Sequence, residues 1–149
     1  MEAKDLRIGN YVCQRHNHLV NAPGYATDIS KPMIIHTIKP VRGRRYFVRF
    51  NGAGYDTDVE KSLVPIPLTD EWLERLGFRL VCGYGWEIST DEGSFLWIDP
   101  DDDFTFSFGV PYEASGNRRQ IKYVHELQNL YYALVGRDLA VRAVAPTCQ

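Results

Sequence analysis

At 149 residues, 44% hydrophobic and 24% charged, the chain has the make-up of a soluble globular protein of one domain or two very small ones. A formal net charge of -2 supplies no global field to attract nucleic acid or an anionic membrane, so any such binding must come from a local patch. Cys13, Cys82 and Cys148 are odd in number, far apart and without CxxC spacing, which argues against a disulfide framework or zinc knuckle; with no signal-like start and no membrane-length apolar run, the expectation is a cytoplasmic protein.

In chain order, "LRIGNYVCQ" reads as a strand interrupted at Gly9-Asn10, a turn or bulge signal. Residues 21–32 carry loop chemistry, and "MIIHTI" at 33–38 is the next expected strand. The segment "RRYFVRFNGAGYDTDVE" predicts a hairpin with a loop at Asn51 to Gly54, pairing Phe50 with Tyr55, Arg49 with Asp56, Phe47 with Asp58 and Arg45 with Glu60. One face then sets arginine against acid, while Tyr46, Val48 and Phe50 oppose Tyr55, Thr57 and Val59 on the other.

"PIPLTDEWLERLGF" predicts a short helix over about residues 70–76, with Thr69 as N-cap, Asp70 and Glu71 in the first turn and Gly77 as the stop. A meander follows, with loops at 90–93 and 100–103. Trp86 is expected opposite Trp97, Ile88 opposite Phe95, Trp97 opposite Phe106 and Phe95 opposite Phe108, a register that one residue of slip would undo. "RRQIKYV" predicts a further strand leading into a helix over 124–135. Its residues Val124, Leu127, Leu130, Tyr131, Leu134 and Val135 form an apolar face of about 140° that needs a docking surface. "DLAVRAV" predicts a closing strand.

The expected fold class is α+β. A small N-terminal antiparallel β-barrel-like unit, SH3-like, spans residues 1–64; residues 65–149 form a helix and an antiparallel β-meander packed by the C-terminal helix.

Few of the candidate sites survive scrutiny. Cys13, His16 and His18 do not make a metal site, because along a strand the histidines share a face that Cys13 does not, and no fourth ligand follows. Asp99, Asp101, Asp102 and Asp103 open like a calcium loop, but Phe104 stands where glycine is required and Val110 where glutamate is. The phosphate-loop, nucleophile-elbow and zinc-protease motifs are all missing, so no cofactor or metal is expected. Two features remain as partner-binding candidates. One is the cluster Lys39, Arg42 and Arg44 around the Gly43 turn, which the hairpin register leaves without acidic partners. The other is the helical stripe His125, Gln128, Asn129 and Tyr132, joined by i,i+4 spacing; it is a structural hydrogen-bonding edge or, if exposed, a partner surface, and His125 has no partner in sequence that would make it a catalytic base.

The segments "LRIGNYV", "PIPLTDEWLERLGF" and "IKYVHELQNLYYALVG", in this order, resemble a family of small proteins of Bacteroidetes genomes, their phages and integrated mobile elements. The resemblance covers about a quarter of the chain directly, leaves 79–118 unmatched, and implies an accessory role in a mobile element. It carries no activity and no catalytic residues across. The expected function is therefore a non-enzymatic interaction or adaptor protein with a protein partner. A nucleic-acid-binding accessory factor is the alternative, and an enzyme with a site near His125 the third reading.

Overall fold

A computed structural model describes residues 2–15, 32–41, 45–81, 85–90, 95–99, 104–109 and 119–141. The fold is α+β with two antiparallel sheets and a C-terminal helix. The chain divides into two units, Met1–Ile66 with Val124–Asn129, and Pro67–Tyr123 with Leu130–Gln149. The C-terminal helix, which the sequence reading places wholly with the meander, thus contributes its first half to the N-terminal unit.

The N-terminal unit opens with a 3-10 turn, Ala3–Asp5, and continues through β1 (Tyr11–Gln14), β2 (Met33–Val41), β3 (Arg45–Phe50), β4 (Thr57–Asp58), a one-turn helix α1 (Val59–Ser62) and β5 (Leu63–Val64). The sheet order is β4-β3-β2-β1-β5. Alternation puts Val12, Ile35, Val48 and Phe50 on one face, where they cluster with Leu6, Val59 and Leu63. Ile35 and Ile38 differ in parity yet both reach this core, because a register shift between Ile35 and Thr37 inserts one residue in β2.

The expected hairpin register holds at its centre, where Phe47 pairs with Asp58 and Val48 with Thr57. Its ends differ. The ladder is limited to these two pairs, so Phe50 has no ladder partner in β4 although it pairs with Ile35 on the β2 side, and the Arg45 side chain reaches Asp58 rather than the expected Glu60. The strand stops at Asp58 because this side chain accepts from the backbone N–H groups of Glu60 and Lys61, which caps α1 and turns the chain out of the sheet.

In the second unit, α2 (Asp70–Arg75) starts at Thr69, whose hydroxyl accepts from Trp72 N, and ends before Gly77, which has φ +88°. Trp72, Leu73 and Leu76 are buried together, and Asp70 accepts a 3.0 Å hydrogen bond from Trp86 Nε1. The second sheet runs β10-β9-β8-β7-β6, with β6 (Arg79–Val81), β7 (Gly85–Ser89), β8 (Phe95–Asp99), β9 (Thr105–Gly109) and β10 (Arg119–Gln120).

Here the expected register is one residue out. Trp86 pairs with Ile98 and Ile88 with Leu96, while Leu96 and Ile98 in turn oppose Phe108 and Phe106. Both connections are one residue longer than expected, and the second contains Phe104 at φ +55°. Leu96 and Ile98 are fully buried, while Phe95 and Trp97 lie half-buried on the opposite face. Gly85 makes room for this arrangement, since a Cβ there would stand 2.6 Å from the Trp97 indole.

The last helix, α3 (Val124–Val135), has the expected bounds and ends at Gly136, φ +76°. The closing strand is not formed over its described part: residues 138–141 have no strand structure, although Leu139 is buried. The strand expected before α3 is reduced to Arg119–Gln120 and a single bridge from Tyr123 to Pro67. Among the described residues no helix is long and apolar enough to cross a membrane.

Candidate functional site

The polar stripe of α3 is divided by burial. His125 and Gln128 are 3% and 2% exposed, Asn129 is half-buried, and Tyr132 is 43% exposed. The two amides bond to the chain's N-terminal segment within the first unit. Gln128 Oε1 accepts from Tyr11 N at 2.8 Å, and Gln128 Nε2 donates to Gly9 O at 3.1 Å. Asn129 Nδ2 donates to Asp5 O at 2.8 Å, and its Oδ1 accepts from Asn10 Nδ2 at 3.0 Å.

Backbone geometry explains why amides sit there. Gly9 adopts φ +92°, which breaks the strand before β1, and Asn10, fully buried, braces the turn by accepting from Arg7 N at 2.7 Å. On one side the turn is tied to β2, through Gly9 N to Ile35 O and Ile35 N to Asn10 O. On the other side β5 reaches β1 only at Cys13 and Gln14. Beyond that point the Gln128 carboxamide supplies the acceptor and donor that a continued strand would have offered to Tyr11 N and Gly9 O.

His125 lies one turn earlier on the same helix. Burial lowers its pKa below the ordinary value, partly opposed by the negative charges of Glu126 and Asp5, so its neutral form is favoured. The imidazole is withdrawn from solvent beside the backbone clamp, which argues against an exposed catalytic base at His125. The condition on which the stripe was a partner surface is met by Tyr132 alone; His125 and Gln128 are withdrawn from solvent. Burial also raises the Cys13 thiol pKa, away from reactive thiolate character. Among the described residues no three His, Cys, Asp or Glu side chains gather in a way that could hold a metal ion.

The cationic candidate changes in a different manner. Lys39 is not left without an acid: its Nζ lies 3.7 Å from Asp56 Oδ2, and Asp56 also accepts from Arg49 Nε at 2.8 Å. The pairing arises because Lys39 stands opposite Phe47, flanked along β3 by Arg45 and Arg49. Arg49 holds the Asp56 carboxyl below the usual range, while Arg45 Nη1 is 4.0 Å from Asp58 Oδ2. Arg42 and Arg44 lie outside the described residues, as do His16, His18 and Asp101 to Asp103. The structure therefore brings Lys39 together with Arg45 and Arg49, two arginines the sequence reading set aside as neutralised. The signal for this was present in the alternation of Arg45, Phe47 and Arg49 along one strand.

No family model, curated protein or solved structure matches this chain.

Proposed function

We propose that this is a non-enzymatic interaction protein, cytoplasmic and of the phage or mobile-element kind that the resemblance implies, whose N-terminal unit is SH3-like. The strand order β4-β3-β2-β1-β5, with a one-turn helix between β4 and β5, supports the SH3-like reading. The observation that carries the interaction reading is the contrast between the two candidate sites. Gln128 and Asn129 are committed to backbone docking, while Lys39, Arg45 and Arg49 keep 50%, 50% and 40% of their side-chain surface exposed on the β2–β3 face. Arg42 and Arg44 add to the cation count between those strands. Two of the three segments that carry the family resemblance, "LRIGNYV" and "HELQNLYYALVG", bond to each other, which gives their Gly-Asn and Gln-Asn pairs a structural role.

A protein partner is favoured over nucleic acid because Asp56 and Asp58 lie within 4.0 Å of these cations and offset much of their charge, which weakens the face for a polyanion charged at every nucleotide more than for a sparsely charged protein segment. The test is a tagged pull-down from a Bacteroidetes host, with and without nuclease, comparing wild type with Lys39→Ala/Arg45→Ala. A stoichiometric protein partner that survives nuclease and is lost in the double variant is expected. Recovery of nucleic acid alone, with affinity falling by about 0.9 log units per log unit of salt for each phosphate contacted, would instead support the nucleic-acid-binding reading.

A further inference from the structure

The outer face of β3 is a comb. Arg45, Phe47 and Arg49 alternate on one side of the strand, so the two guanidinium groups arise from positions about 13 Å apart, with an aromatic ring between them. Lys39 stands across from Phe47 on β2, and Asp58 stands across from it on β4.

The vertical arrangement of charge matters as much as the lateral one. The carboxylates are the more enclosed members of each pair, with Asp56 32% and Asp58 13% exposed against 50% for Lys39 and Arg45 and 40% for Arg49. Asp58 is further fixed by the two backbone N–H groups of α1 that it caps. Asp58 thus sits low and held, Asp56 is shared near the surface between Lys39 and Arg49, and the cations are oriented by these acids while staying open to solvent. Surface pairs of this kind are weak individually, so a cation can engage a second anion without a large loss. Phe47 is half-buried and offers an apolar contact at the centre. Beyond Phe47 and Val48 the two-residue β4 leaves the Arg45–Tyr46 end of β3 without a described strand neighbour on that side.

Resting on the interaction reading above, we propose that this face docks an extended acidic segment of a partner protein, with acidic residues four positions apart meeting Arg45 and Arg49 and an apolar residue midway between them, on the same face, covering Phe47. An extended chain repeats its side chains every two residues, the same period as the comb. A nucleic acid could stack a base on Phe47, but it brings a phosphate at every nucleotide to a face whose cations are already partly offset by Asp56 and Asp58, whereas an extended peptide carries charge only where a guanidinium meets it.

The test uses the full chain and a short fluorescein-labelled peptide of repeating Glu-Ser-Leu-Ser, so that one face of the extended peptide alternates glutamate with leucine, read by anisotropy. Three comparators are run: a peptide of the same composition with its glutamates contiguous, the lysine-for-glutamate version, and labelled oligothymidylate. The alternating peptide is expected to bind at least about tenfold more tightly than each comparator. Lys39→Ala/Arg45→Ala, confirmed as folded by circular dichroism, should weaken that binding about tenfold. Equal binding of alternating and contiguous peptides, tighter binding of oligothymidylate, absence of binding, or indifference to the double variant would each overturn the proposal. If the host pull-down still yields a protein partner that depends on Lys39 and Arg45, the interaction reading stands and only the extended acidic ligand falls.

Discussion

Removing the Gln128 carboxamide should undo the attachment of α3 to the Gly9 turn. Gln128→Ala leaves Tyr11 N without its 2.8 Å acceptor and Gly9 O without its 3.1 Å donor, at a position where the native side chain is 2% exposed. A buried donor or acceptor stripped of its partner costs roughly 1–3 kcal/mol, so the pair is worth about 2–4 kcal/mol after partial hydration of the turn. All three tryptophans, Trp72, Trp86 and Trp97, belong to the other unit, so indole fluorescence is the wrong reporter. Amide hydrogen exchange at Tyr11 reads the clamp directly, and its protection should fall roughly 30- to 1,000-fold. Gln128→Glu separates the two bonds: it keeps an acceptor for Tyr11 N but sets a carboxylate oxygen against Gly9 O. Its defect should therefore deepen as pH rises through the glutamate range and lessen when the acid is protonated and donates. Unchanged Tyr11 protection in Gln128→Ala, with unfolding free energy within about 0.5 kcal/mol of wild type, would refute the clamp.

The buried His125 makes a pH prediction. Its folded pKa lies below the ordinary 6.5, so the unfolded chain binds more protons, and stability that is complete above that value is lost as pH falls below it. Urea titrations across that range should show the decline, and His125→Gln should flatten it. Gly85→Ala drives a methyl group to within 2.6 Å of the Trp97 indole, so a loss of about 1–3 kcal/mol and a changed tryptophan emission spectrum are expected. Asp58→Ala removes the cap of α1 and should cost about 0.5–2 kcal/mol, with faster exchange of the Glu60 and Lys61 amides as its local signature.

How much of this was legible in the sequence depends on the distance over which each feature is decided. The caps and stops of α2 and α3 at Thr69, Gly77 and Gly136 are local chemistry, and they fall where the residue types require. The centre of the β3–β4 hairpin was also readable, because Arg49 and Asp56 reinforce the pairing of Phe47 with Asp58. The meander was not. Candidate registers one residue apart both bury large apolar groups, and the choice turns on Phe104 occupying a left-handed position and on Gly85 giving the Trp97 indole room outside the core. Neither is visible from strand patterning. The shortness of β4 was likewise hidden, since Asp58 serves a helix cap and a strand pair with the same side chain.

The α3 stripe shows why residue type alone misleads about chemistry. Histidine, glutamine and asparagine at helical spacing are what a site for proton transfer or ligand recognition would present. They are also what docking a helix against irregular backbone demands. A strand that breaks at a positive-φ glycine leaves an N–H and a C=O facing the same neighbour, and a carboxamide offers a matching acceptor and donor without charge. A carboxylate could serve only Tyr11 N, and a lysine only Gly9 O. The choice of amide is thus imposed by a turn 119 residues earlier in the chain, and no local window around Gln128 contains it. The cationic comb has the opposite character. Its spacing follows from one strand and its anchoring acids from the next, and although the Arg49–Asp56 bond also supports the hairpin, that pairing alone does not call for Lys39 and Arg45 to stand half-exposed beside a half-buried phenylalanine. Chemistry that the fold does not need is the better place to look for what the protein binds.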